Sequence, residues 1–167
     1  MESCRAPTET KRGPLANEKR VTAIEGFVND AVSKGSKIKT GGERKGNKGY
    51  FFEPTVMTDV PLDARIMTEE PFGPIAPIAS FSSFDSVVEE ANRLPYGLAA
   101  YAYTNSAKTA EAIGSALESG MVSINHHGLA MPETPFGGVS DSGYGKEGGS
   151  EGLEAYFNSK FITQTGL

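Results

Sequence analysis

Between residues 74 and 125 the sequence alternates apolar runs with helix-spaced segments, and this alternation constrains the fold more than any other feature. Pro74–Phe81 reads as an apolar strand. Ser83 then supplies an N-cap, and Phe84, Val87, Val88 and Ala91 repeat at the i, i+3, i+4, i+7 spacing of one helix face. The turn Leu94–Gly97 leads into a second apolar stretch, Leu98–Tyr103. Ser106 caps another helix carrying Ala110, Ile113 and Leu117 and ending at Gly120, and Met121–Asn125 reads as the next strand. Strand, helix, strand, helix, strand with short links predicts two βαβ crossovers, hence an α/β fold on a parallel βαβ sheet. Ligands of such sheets gather beyond the carboxyl ends of the strands. The loop 126–141, which follows Asn125, His126 and His127, is therefore the first place to look for a site.

The flanking segments are less regular. Residues 1–12 are polar and aperiodic and read as disordered or as a loose N-terminal arm. Pro14 suits a first helical position, and Leu15, Val21, Ile24, Phe27, Val28, Ala31 and Val32 keep helical spacing up to a stop at Gly35. Lys37–Thr40 reads as a short strand. The basic, glycine-rich segment 41–49 reads as a solvated connection rather than a phosphate cradle, because no helix start follows it to supply a dipole. Tyr50–Val56 reads as a strand interrupted by Pro54, and so placed near a sheet edge. After Asn125 come a long loop, a short helix near Glu151–Phe157 and a final strand, Lys160–Thr165.

Composition excludes several classes of function. Of the 167 residues, 38% are hydrophobic and 22% charged, the balance of a globular protein. The net charge of -5, with Lys and Arg scattered, argues against nucleic acid as a partner. No apolar run is long enough to span a bilayer, so no membrane partner is expected. The first residues lack the apolar core of a secretory signal, and the single cysteine, Cys4, suits a reducing compartment. Both point to a cytoplasmic protein.

The stretch SGYGKEGGSEG at 142–152 matches two familiar patterns. Gly143, Gly145 and Gly148 fit the dinucleotide fingerprint G-x-G-x-x-G. That fingerprint needs a strand before it and an acidic residue some 20 positions on; here PFGGVSDS precedes it, and FITQTGL, without an acid, follows. Gly148, Ser150 and Gly152 fit the G-x-S-x-G nucleophile elbow, which needs a preceding strand and a later histidine. Both histidines come earlier. The neighbours His126 and His127 point to opposite faces of an extended chain and make a poor metal pair. Nothing around Cys4 would activate its thiol.

TEEPFGPIAPI, residues 68–78, is more specific. A rigid turn here can present one carboxylate and one aromatic ring. A carboxylate can accept both hydroxyls of a ribose, and a ring can pack beside a flat heterocycle. The bland alternative is an ordinary turn into a strand with solvated acids. At this point the chain resembles the C-terminal part of the NAD(P)-dependent aldehyde dehydrogenases. The matching segments are GPLANEKR (13–20), GYFFEPTVMTDVP (49–61), EEPFGP (69–74), NRLPYGLAAYAYT (92–104), SGMVSIN (119–125), TPFGGVSDSGYGKEGG (134–149) and GLEAYFNSKFI (152–162). Their wording is most similar to the succinate-semialdehyde dehydrogenases.

The resemblance implies roles residue by residue. Glu70 matches the glutamate that holds the nicotinamide ribose of NAD or NADP, and Phe72 the aromatic beside it. Phe136 matches a phenylalanine lining the substrate tunnel, Asn125 a position near that tunnel, and Arg20 a helix near the cofactor. Residues 13–158 correspond to the C-terminal part of the catalytic domain. Residues 159–167 correspond to an oligomerisation strand that pairs subunits, either in a homo-oligomer or with a full-length dehydrogenase. The family oxidises aldehydes through a cysteine thiolate and a glutamate, each in its own motif. Neither the Gly-Gln-x-Cys context nor the Glu-Leu-Gly-Gly context occurs in these residues, and the Rossmann half is not among them. The expectation is a truncated oxidoreductase without activity alone and with an exposed apolar sheet face. The alternative is a non-catalytic module that pairs with a complete subunit. Two details depart from the family: Ser140 stands where lysine is common, and GLAMPET at 128–134 lacks most of the hydroxyls that succinate-type members often carry there. The second weakens the case for carboxylate recognition.

Overall fold

The computed structural model describes residues 12–166, so most of the predicted arm, Cys4 and the terminal Leu167 lie outside the described residues. The chain groups into two compact units, one ending at Ser80 and the other beginning at Phe81.

The first unit is one long helix on a small mixed sheet. Helix α1, Glu18–Ser33, is capped by Asn17, whose side chain accepts from the Arg20 backbone N–H. Pro14 thus lies ahead of the helix rather than in its first turn. Asn wins the boundary because its oxygen satisfies a backbone donor of the first turn, which a proline cannot do. The predicted stop holds. Gly35 takes φ 108, and the Gly35 and Ser36 N–H groups donate back to Val32 and Ala31. Strands β1 (Lys37–Thr40), β2 (Thr55–Thr58) and β3 (Ile75–Pro77) follow. β1 pairs antiparallel and β3 parallel to β2, so β2 is the central strand. The expected edge position is corrected: the strand begins after Pro54, which therefore costs the ladder no donor. The proline that does lie in this sheet, Pro77, sits on the edge strand β3, as its missing N–H requires. Val21, Ile24, Phe27, Val28 and Ala31 from α1 pack with Phe52, Met57, Val60, Ala64 and Ile66 into one core.

The second unit carries helices α2 (Phe84–Ala91) and α3 (Ala107–Ala116) and strands β4 (Tyr96–Gly97), β5 (Ala99–Ala102), β6 (Met121–Ile124) and β7 (Val139–Ser140). Ser83 and Ser106 cap the helices as expected, each accepting from a backbone N–H three residues on. α3 stops at Ala116, short of Gly120, because the Asn92 side chain takes the Ala116 carbonyl and the Glu118 N–H. β5 and β6 pair in parallel and α3 connects them, which makes one of the two expected crossovers. The other is not formed within one sheet: β3 pairs with β2, while β5 pairs with β6. β4 and β7 form a short antiparallel pair with no signal in the sequence. Residues 151–156 form a 3-10 turn. Lys160–Thr165, expected as a strand, joins no ladder among the described residues and runs exposed. Among the described residues its backbone groups have no ladder partner.

Candidate functional site

In the first unit the turn 68–74 is held from both ends. The 3-10 turn Arg65–Met67 places Arg65 over the Phe27 ring, with 5.1 Å from guanidinium carbon to ring centre. The Arg65 guanidinium grips Glu69 with two bonds, Nε–Oε1 at 2.8 Å and Nη2–Oε2 at 3.1 Å. Those bonds, more than the cation's field, hold the Glu69 carboxyl below its ordinary range. At the other end Pro74 is buried, and its carbonyl accepts from the Thr55 N–H at 2.8 Å, which starts the β2–β3 ladder. Gly73 lies so close to α1 that a Cβ there would stand 2.6 Å from Ile24 Cδ1.

Between these anchors the turn bulges outward. Phe72 takes φ 45, a left-handed conformation that costs a bulky residue about 1–3 kcal/mol. Its ring remains 69% exposed. Glu70 is exposed as well, and among the described residues its carboxylate has no hydrogen-bond or ion-pair partner. The two adjacent glutamates therefore differ: Glu69 is spent on Arg65, and Glu70 is open. Glu70 and Phe72 thus put one open acceptor and one exposed ring on the same turn. A carboxylate acceptor and a flat ring are chemically suited to the hydroxyls and the heterocycle of a ribose-linked ligand. Arg20 lies in the first turn of α1, where its backbone serves the cap.

In the second unit the carboxyl ends of β5 and β6 are closed by Asn125. It takes φ 63, which asparagine tolerates better than most residues. Its Oδ1 accepts from the Thr104 N–H, and its Nδ2 donates to the Thr104 carbonyl, each at 2.9 Å. The amide is thereby committed to joining two strands. His126 follows. Its carbonyl accepts from the hydroxyl of buried Ser123 at 2.6 Å, and its Nδ1 accepts from the Gly128 N–H at 3.1 Å. His127 instead turns onto Tyr103, with Nε2 2.7 Å from the phenol oxygen, and its ring lies 5.5 Å from that of Tyr101. The two histidines diverge, and no group of three metal-ligating side chains occurs among the described residues.

Phe136 is half-buried and bridges Glu147 through a pair of backbone hydrogen bonds. It lines an open cleft of about 580 Å³ with Leu98, Tyr144, Lys146, Glu147 and Glu151. The Lys146 ammonium donates to the Gly137 and Gly138 carbonyls at 2.9 and 3.1 Å, folding the glycine-rich segment back on itself. In that segment Gly143, Gly145 and Gly148 all have positive φ; ahead of them lies only the two-residue antiparallel strand β7, and behind them only the 3-10 turn. The Ser150 hydroxyl donates to the Glu151 carboxylate rather than to a histidine. Neither the dinucleotide fingerprint nor the nucleophile elbow has its required strand–turn–helix setting.

The fold so described has relatives. The model of the aldehyde dehydrogenase family matches residues 3–162. A probable NADP-dependent succinate-semialdehyde dehydrogenase of Sinorhizobium fredii is 47% identical over 155 residues, covering 93% of this chain and 32% of that protein. A 4-(hydroxymethyl)benzenesulfonate dehydrogenase of Comamonas testosteroni is 45% identical over 154 residues, covering 92% and 32%. The crystal structure of an aldehyde dehydrogenase from Brucella melitensis superposes with a TM-score of 0.89 at 42% identity, over 94% of this chain and 32% of that one. The chain spans 32% of the length of each of these two curated relatives.

Proposed function

Because the chain belongs to the aldehyde dehydrogenase family, we propose that it supplies the ribose-holding turn and part of the substrate passage of an NAD(P)-dependent oxidoreductase that converts an aldehyde to the acid. NAD or NADP, when bound, supplies the hydride acceptor. Glu70 accepts the hydroxyls of its nicotinamide ribose, Phe72 covers the flat ring and keeps water from it, and Phe136 borders the substrate. The observation that carries this reading is the open Glu70 carboxylate beside the exposed Phe72 ring, on a turn fixed by Arg65–Glu69 and by Pro74.

A second part of the proposal concerns the substrate. The two curated relatives above are named for molecules with a carboxylate or a sulfonate. The class proposed here is an aldehyde or semialdehyde with an anionic oxygen group at its far end. A cytoplasmic location completes the reading, supported by the mildly acidic charge and the single cysteine.

Residues 1–167 by themselves are expected to produce no NAD(P)H from any aldehyde, since they contain neither a Gly-Gln-x-Cys nor a Glu-Leu-Gly-Gly context. Turnover above a blank, abolished by Glu70→Gln, would overturn this. In an enzyme that carries this segment together with a nucleophile, Glu70→Gln is expected to raise the KM for the cofactor roughly tenfold. The basis is that a hydrogen bond to a charged group is worth about 1.5–3 kcal/mol. An unchanged cofactor KM would remove Glu70 from the ribose.

A non-catalytic reading has its own support. Lys160–Thr165 joins no ladder among the described residues, and Phe161 and Ile162 are 90% and 75% exposed. An open, apolar extended segment is suited to pairing with a second subunit of this kind. Co-purification with a dehydrogenase subunit, lost on deletion of 159–167, is the expected result; binding that survives the deletion would place the contact elsewhere.

A further inference from the structure

We propose that His126 is a specificity-determining residue: its Nε2–H donates a hydrogen bond to the anionic oxygen group at the far end of the substrate. This inference rests on the aldehyde-oxidising reading above and names the group that recognises its substrate class.

The loop from Asn125 to Phe136 contains few polar side chains, and most are already committed. The Asn125 amide is used at both ends on Thr104. The Thr134 hydroxyl turns back onto the loop, 3.1 Å from the Met131 carbonyl and 3.4 Å from that of Leu129. His127 faces Tyr103. Glu133 carries the wrong sign to hold an anion. His126 differs from all of these. A backbone N–H can only donate, so the Gly128 N–H fixes Nδ1 of His126 as the acceptor, and the ring proton resides on Nε2. The residue is exposed, and among the described residues Nε2 has no partner.

His126 is also well supported. Its backbone is tied to Ser123, which is 1% exposed, by the 2.6 Å bond to the His126 carbonyl. Its ring is oriented by the Gly128 N–H. The residue sits just past the carboxyl end of β6, at the edge of the parallel pair where ligands of such sheets collect. A fixed tautomer with one outward N–H, on a braced backbone, is a positioned donor rather than a solvated side chain.

The test uses a complete dehydrogenase that carries this segment together with a nucleophile, with His126→Leu, which removes the donor, and His126→Gln, which keeps an N–H at a similar reach. The first readout is the ratio of kcat/KM for succinic semialdehyde to that for butanal, which lacks the carboxylate. His126→Leu is expected to lower this ratio about tenfold through KM for the semialdehyde, and His126→Gln to restore most of it. A ratio unchanged in His126→Leu, or equally lowered in both variants, overturns the assignment. The second readout needs no turnover: the His126 ring nitrogen resonances are followed by NMR as succinate is added. A shift of Nε2 with Nδ1 little changed supports the proposal, and no shift overturns it. An enzyme that carries this segment together with a nucleophile, shows the shift and yet oxidises no aldehyde would end the proposed function and leave the donor role of His126 standing.

Discussion

The two units of this chain are held together by different forces. In the first, ten buried apolar side chains from α1, the sheet and the Arg65–Met67 region form one cluster. In the second, Met121 is the buried hydrophobic side chain of the described residues, and neither α2 nor α3 has a buried residue. What orders that unit is a set of polar bridges. Asn92 ties the end of α2 to the end of α3, Asn125 ties β6 to the end of β5, and Ser142 receives the Gly97 N–H. Close backbone approaches reinforce them: a Cβ on Gly97 would meet the Glu118 carbonyl, and one on Gly120 the Gly137 carbonyl. Burial scales with area and is non-directional, whereas a hydrogen bond contributes less but fixes a geometry. The first unit is thus built for stability and the second for placement.

The strongest test of that contrast is in the core. Ile24, fully buried at 0% exposure, is expected to cost about 2–5 kcal/mol on substitution by alanine, read as a fall in the denaturant midpoint. Next comes Asn92→Ala in the second unit, expected to cost about 1–3 kcal/mol because two backbone groups lose their partner. If Asn92→Ala cost as much as Ile24→Ala, the division into a packed unit and a stitched unit would fail.

The smallest effect concerns pH. The Arg65 backbone N–H, assisted by Lys34, holds the Asp30 carboxyl below its usual range, and Arg65 does the same to Glu69. Each folded value lies below the unfolded one. The stability they confer is therefore present above the ordinary carboxylate range and lost as pH falls through the lowered folded values, below about 4. Both groups are solvent-accessible, so the effect is modest and screened by salt. Asp30→Asn should flatten the acid limb of the melting curve of the first unit; an unchanged limb would assign the loss to other carboxylates.

The helices were legible because their signals are local: Ser83, Ser106 and Gly35 are caps whose partners lie within a few residues. The turn 68–74 was legible as a rigid turn because its proline, glycine and acids are contiguous. Pairing was harder. β3 lies beside β2 rather than β5, and nothing in an apolar run states which neighbour it will choose. The β4–β7 pair is two residues long, too short for any periodicity. The difference between Glu69 and Glu70 was invisible, since it depends on where the Arg65 guanidinium ends. So was the tautomer of His126, which a backbone N–H two residues away decides.

Gly73 has a consequence for anyone who would move this turn into another protein. Its missing side chain lets the turn rest on Ile24 Cδ1, with Leu15 Cδ2 also within 3.4 Å of where a Cβ would stand. The loop is thus seated like a gem in a mount, and the mount is a helix some fifty residues earlier in the chain. A graft of EEPFGP alone would carry the acidic and aromatic groups without the surface that aims them. Recipient scaffolds should be chosen for a helix that offers an aliphatic ledge at the same spot.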